Sequence, residues 1–428
     1  MKYVICHGFV YDGSEDFTWK EKNIYIKDEN IEALTDWPVI LPGYDIIEAR
    51  GQYILPGLIN MHAHLFGSGK PSKSLSGGPV QDFLMKLLHT PAGKPIIMKL
   101  VKNSVESSLY SGCTTERTMG DFIWSDMEIR NRISNGRQNG PRLLVSGPAI
   151  TVIDGHGHGT ISLTANETEK LVEYTKNVID HKPDWIKICV TGGVMDAKVK
   201  GEPGVVKMNS EQVSAITGLA HSYGYKVASH TESLDGIKVA LQNGVDTIEH
   251  GAQLDKEAIE LFKQTKAAFI TTLSPAVPLA YLEPEITMMN DLCVYNSNVL
   301  LKNMIEGTKT ALKEGIPVGM GTDCSCPFST PYAMPREIEF FVRYIGVSNA
   351  QAVYIATNQN AKILGLQHRI GQILPNYSAD LIVCNNNPFE DIRALRVLED
   401  VYKEGKRYHK PNPRKNQWME DILDKINR

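Results

Sequence analysis

Apolar and polar positions change rhythm twice along the chain. Near the amino end they alternate. "NIYIKDENIEAL" (23–34) carries two alternating runs either side of a turn at Asp28-Glu29-Asn30, the pattern of a half-buried hairpin. "IGQILPNYSADLIVCN" (370–385) repeats this texture near the other end. Between them, short apolar runs recur: "GLINMHAH" (57–64), "CTTERTMG" (113–120), "RLLVSG" (142–147), "WIKICVTG" (185–192), "KVASH" (226–230), "DTIEH" (246–250), "AFITTL" (268–273) and "PVGMGTD" (317–323). Stretches of three-to-four-residue periodicity separate them, among them "KPIIMKLVKNSVESSLYSG", "TEKLVEYTKNVIDH", "DKEAIELFKQTK" and "NVLLKNMIEGTKTALKEG". "NSEQVSAITGLAHSYG" offers Asn209 or Ser210 as its cap and a glycine at its end.

Eight strand–helix alternations predict an α/β fold with a parallel sheet, and the length suits a closed (β/α)₈ TIM barrel. The expected division is a barrel over 57–364 and a small β-sandwich built from both termini, 1–56 and 365–428. Three stretches, 65–88, 194–209 and 273–295, read as too long and irregular for ordinary connections. Each follows a strand, which assigns it to the barrel face where active sites form.

Composition narrows the field. Net charge is −4 with no long basic or acidic run, so neither nucleic acid nor an anionic membrane is expected as a partner. No window is apolar enough to span a bilayer, and the first residues lack a secretion-signal pattern. Seven cysteines, an odd number mostly in apolar surroundings, suggest reduced thiols in a cytoplasmic protein. Cys324 and Cys326 have no second pair to complete a structural zinc site.

Candidate chemistry gathers at strand ends. His62 and His64 are two apart on the first strand and so share a face. One H-x-H is weak evidence in a chain with twelve histidines, and His156-Gly-His158 is a second, in a glycine-rich loop. But His230 ends the fifth strand, His250 the sixth and Asp323 the eighth. A strand-end aspartate alone is more often a helix cap. Four histidines and an aspartate at one end of a closed barrel converge on a metal centre. Lys187 lies on the fourth strand, sharing a face with Trp185 and Cys189. Alone it reads as a snorkelling or edge-strand residue. Facing the barrel interior, its amine would be driven towards neutrality, and a neutral amine can take up carbon dioxide as a carbamate able to bridge two metal ions.

In this order, "LPGLINMHAH", the strand-four lysine, "ASH", "IEHG" and "GTD" resemble the amidohydrolase superfamily, and the resemblance covers nearly the whole chain. It implies a binuclear centre of two divalent ions, zinc foremost. His62, His64 and Asp323 would hold the more buried ion, His230 and His250 the other, and carboxylated Lys187 both. Hydrolysis by a metal-bridged hydroxide follows, with Asp323 carrying the proton to the leaving amine. "GHGHG" and "VTGGV" resemble the imidazolonepropionase-like branch with its prolidases and Xaa-Arg, Xaa-Lys carboxypeptidases. The implied substrate is a dipeptide or N-acyl amino acid, with His156 or His158 contacting it. Arg117 is expected either to receive a carboxylate or to form a buried ion pair. Lactone, phosphotriester or cyclic-amide hydrolysis at the same site is the alternative, and a non-enzymatic metal-binding relative a further one. Relatives assemble, so a homo-oligomer is expected. Pro375-Asn376 replaces the family's usual Pro-Gly turn, a change asparagine should tolerate.

Overall fold

The computed structural model describes residues 2–36, 41–72 and 85–427. All eight apolar runs contain strands: Leu58–Ala63, Cys113–Thr118, Arg142–Leu144, Trp185–Cys189, Lys226–Thr231, Thr247–His250, Ala268–Thr271 and Val318–Met320. Neighbours pair in parallel along this order. The third strand is split. Arg142–Leu144 pairs with the second strand, while Ala149–Thr151 continues beside the fourth through Ile150 and Ile188. Between these pieces, the Asp184 amide donates to the Val145 carbonyl at 2.7 Å.

The barrel closes between its last and first strands. The Thr322 and Asp323 amides donate to the His62 carbonyl at 3.1 and 2.8 Å. Gly321 permits this approach, since a Cβ there would lie 2.4 Å from the His62 nitrogen. Asn360 clamps the same seam. Its Nδ2 donates to the Ile59 and Met320 carbonyls at 2.7 and 3.0 Å. A π-helical segment, Ile355–Gln359, interrupts the surrounding helix just before it, and such bulges recur at functional positions.

Helices cover the outside of the barrel. Of the two caps its sequence offers, Asn209 starts Ser210–Ser222, through a reciprocal capping box with Gln212. The stretch 194–209 is irregular, and Asn296 fastens it by donating to the Val199 carbonyl and accepting from the Gly201 amide. The expectation for 273–295 needs correction. It is largely helical, through Leu273–Tyr281, Pro284–Thr287 and the start of Asp291–Lys313. Pro275 falls in a first turn, where no backbone donor is missed, and Glu337 accepts from the free Leu273 and Ser274 amides. Of 65–88, residues 73–84 lie outside the described residues.

Both chain ends build one eight-stranded mixed sheet. Leu381–Cys384 pairs antiparallel with Tyr53–Pro56, which joins the two ends of the sequence. The predicted hairpin is present, with Lys27 opposite Asn30. Asn376 adopts φ +70°, the left-handed geometry its turn requires. The last helix, Gln417–Ile426, leaves this sheet. Arg336 of the barrel pairs with its Glu420 and Asp424 at 2.7 and 2.9 Å, and Met419 and Leu423 pack with Leu282 and Phe328. No described helix is long and apolar enough to cross a membrane.

Candidate metal centre

Two groups of ligand-type side chains meet at the carboxyl end of the barrel. His62, His64 and Asp323 form one; His230, Glu232 and His250 form the other. In each, one donor atom from every residue lies within 4.8 Å of the others. The groups adjoin, with the His62 and His250 rings 4.8 Å apart and the His230 and His250 rings 4.6 Å apart. Asp323 reaches towards both, 3.0 Å from His64 Nε2 and 3.9 Å from His250 Nδ1.

Backbone geometry aims these residues. His250 and Asp323 both have positive φ, +67° and +46°. Such conformations cost energy in a non-glycine residue and concentrate at functional sites. The turn at His250 ends strand alternation. Glu249 and His250, neighbours that a regular strand sends to opposite faces, therefore both meet His62.

The imidazoles fit metal binding. Each has one nitrogen committed to an oxygen: His62 Nδ1 to Glu249 at 2.7 Å, His64 Nδ1 to the Gly120 carbonyl at 2.6 Å, His250 Nδ1 to Thr272 at 2.7 Å and His230 Nε2 to the Gly192 carbonyl at 3.2 Å. One nitrogen per ring is left for an ion, and the committed one fixes the ring's orientation. Burial, reinforced by Lys187, holds His62 well below the ordinary histidine range, and burial takes His250 to about 3 against the opposing pull of Asp323. Burial, with His156 and His250, lowers His230 likewise. These rings are therefore neutral, the form that ligates. Burial raises the Asp323 carboxyl, but the hydrogen bond with His64 and the His62 and His250 imidazoles beside it outweigh burial and hold Asp323 below the ordinary carboxylate range, so it is ionised.

Lys187 is 3% exposed, and its Nζ has no hydrogen-bond partner among the described residues. Burial lowers its pKa, with Glu249 the strongest opposing charge. In register, Lys187 stands opposite Ala228, two residues below the level of His230. A buried, unpartnered amine costs several kcal/mol unless something compensates it, about 1–3 for a neutral polar group and more for a charge.

The structure separates the two loop histidines. His156 stacks flat on His230, with ring centroids 3.8 Å apart and planes within 2°, and its Nδ1 pairs with Asp196. That carboxylate outweighs burial and raises the His156 pKa. Gly193 makes room, since a Cβ there would lie 2.9 Å from His156 Nδ1 and 3.1 Å from His230 Nε2. His158 is brought elsewhere. Its side chain is 41% exposed and its Nδ1 accepts from the Asp154 amide at 3.3 Å, so it caps the loop rather than facing the centre.

Arg117 forms a buried ion pair. It is completely buried and donates twice to Glu249, at 2.7 and 2.9 Å, and to the Met61 carbonyl at 2.7 Å. Its guanidinium lies 4.5 Å over the Trp185 ring. Of the two expectations for it, the buried ion pair describes it. Sequence reading missed Glu249, Glu232 and Asp196. Glu232 had a signal, because it follows His230 by two residues, the spacing that pairs His62 with His64. Glu249 had none, because it depends on the turn at His250.

A model of the amidohydrolase family matches residues 53–408. An ochratoxinase from Aspergillus niger is 24% identical over 404 residues, 87% of this chain and 78% of that one. An imidazolonepropionase from Geobacillus kaustophilus is 20% identical over 377 residues, 85% and 82% of the two chains. Among solved structures, a protein from Bifidobacterium longum provisionally assigned as a prolidase superposes with a TM-score of 0.87 at 32% identity, over 100% of this chain and 99% of that one. A Xaa-Pro dipeptidase with methionine in its active site superposes with a TM-score of 0.83 at 26% identity, over 96% and 100%. With its barrel, its paired ligand groups and these likenesses, the chain belongs to the amidohydrolase family and is a hydrolase of that family.

Proposed function

We propose that the protein is a metal-dependent amidase that cleaves a peptide-like bond in a dipeptide or an N-acyl amino acid. The observation that carries this reading is the unpartnered, buried Lys187 amine beside two adjoining ligand groups. His62, His64 and Asp323 would hold one divalent ion and His230 and His250 the other. Lys187, carboxylated at Nζ, would reach both, and zinc suits this nitrogen and oxygen donor set. When bound, such ions lower the pKa of water and polarise a carbonyl.

The chain's own groups account for the rest. Asp323, kept ionised, accepts the proton of the attacking water and passes it to the leaving amine nitrogen. Asp196 holds His156 Nδ1, so His156 presents Nε2 to the substrate's carbonyl or carboxylate oxygen. The Xaa-Pro dipeptidase likeness favours a substrate that ends in an amino acid. Incubation with zinc and a panel of N-acyl amino acids and Xaa-Pro, Xaa-Arg and Xaa-Lys dipeptides tests this. Amine release that chelation abolishes is expected. Lactone or phosphotriester cleavage without any amide turnover would overturn the substrate assignment.

A further inference from the structure

Glu232 differs from Glu249 and Glu337, two other buried carboxylates of the barrel. Glu249 receives two contacts from Arg117 and one each from His62 and Thr247. Glu337 receives the Leu273 and Ser274 amides and the Ser274 hydroxyl. Glu232 is buried, at 6% exposure, yet among the described residues one donor serves it: the Val194 amide, 3.1 Å from Oε2. Its other oxygen lies 3.8 Å from His230 Nε2, and no described arginine or lysine comes within ion-pair distance. The loop after the fourth strand shuts it in. Gly204 passes so close that a Cβ there would lie 2.4 Å from the Glu232 carbonyl. A buried carboxylate with one hydrogen bond is costly unless a cation sits beside it. The groups beside it are His230 and His250, each with a donor atom within 4.8 Å of a Glu232 oxygen.

We infer that Glu232 is a protein ligand of the second divalent ion, completing a His230–Glu232–His250 site that mirrors His62–His64–Asp323. This rests on the metal-dependent reading above and assigns a ligand that reading does not contain. Two histidines and a carboxylate are a sufficient zinc donor set. The second ion then keeps three protein ligands even when Lys187 is not carboxylated, and Lys187 adds to the site rather than creating it.

The test is metal binding by the full chain. Apo protein is titrated with Zn²⁺ and Co²⁺ by calorimetry, with ions per chain measured by mass spectrometry after dialysis, for wild type, Glu232→Gln and Glu232→Asp. Glu232→Gln should weaken one ion by about 10-fold or more and leave the other unchanged, and Glu232→Asp should fall between. Thermal unfolding of the apo forms is the control for folding, and Glu232→Gln, nearly isosteric with the native side chain, should unfold at about the wild-type temperature. Unchanged binding of both ions by Glu232→Gln would overturn the inference, even if KM rose. If wild type takes up a single ion, the two-ion reading fails, and loss of that ion in Glu232→Gln still supports this assignment while its retention refutes it.

Discussion

Truncating Arg117 separates a structural cation from a substrate-binding one. In Arg117→Met the side chain keeps its bulk against Trp185 but loses both contacts to Glu249 and those to Met61 and Thr247. A charged hydrogen bond contributes about 1.5–3 kcal/mol, and stranding Glu249 as an uncompensated buried carboxylate brings the loss to about 3–5 kcal/mol. Glu249 also orients His62, so metal affinity should fall by about 10–100-fold. Urea denaturation of the apo protein reads the first effect and metal titration the second. The double variant Arg117→Met/Glu249→Gln should recover part of the stability, because the stranded charge is gone. Any change in KM in Arg117→Met should be the same whether the substrate's carboxylate is free or amidated. A stable Arg117→Met variant whose only defect is a raised KM for substrates with a free carboxylate would refute this reasoning and restore Arg117 as a substrate contact.

Three further outcomes are expected. Lys187→Met should lower metal affinity by about 10-fold or more, and short-chain carboxylic acids should restore some metal and activity to Lys187→Ala; an unmodified amine seen in a fully loaded, active crystal would exclude the carbamate. Gly193→Ala should push the His156 and His230 rings apart and lower kcat/KM by about 10–100-fold with little change in the urea midpoint. Glu116 is wholly buried, and burial raises its carboxyl from 4.5 to about 7. Its folded pKa thus exceeds its unfolded one, so its contribution to stability is complete below about pH 4.5 and is lost as pH rises through about 7. Glu116→Gln should therefore flatten that decline, on the order of 3 kcal/mol, in denaturation midpoints measured across this range.

The barrel and most of the side chains gathered at its carboxyl end were legible because both rest on local periodicity. Two-residue spacing put His62 and His64 on one face, and each ligand stood where an apolar run met a turn. What the sequence hid depends on departures from that periodicity. The helix Leu273–Tyr281 contains two prolines that read as breakers, and its start is supplied by Glu337, sixty-four residues away from Leu273. His156 and His158 are indistinguishable by spacing. Asp196, forty residues on, selects one of them. Arg117 left two readings open because the choice rests on Glu249, a partner four strands away.

The network beneath the ligands also explains why so many charges sit in this core. Arg117, Glu249 and His62 form a chain from the strand layer below to the first ligand group. A lone Glu249 there would be too costly to bury, and a lone His62 would be free to rotate. Arg117 makes Glu249 tolerable, and Glu249 fixes His62 with Nε2 towards Asp323. The second ligand group has no such chain. Glu232 leans on a loop amide, and His230 on the Gly192 carbonyl and the His156 ring. Thr272, at the end of the seventh strand, holds His250, but the supports of Glu232 and His230 come from the segment after the fourth strand and from the His156 loop, not from the barrel layer. The first ion should therefore be the tighter and the second the one whose affinity follows changes in the 194–209 loop. Stepwise metal release during chelation, with the weaker step alone shifted by Gly204→Ala, would show this asymmetry, whereas a single concerted release would contradict it.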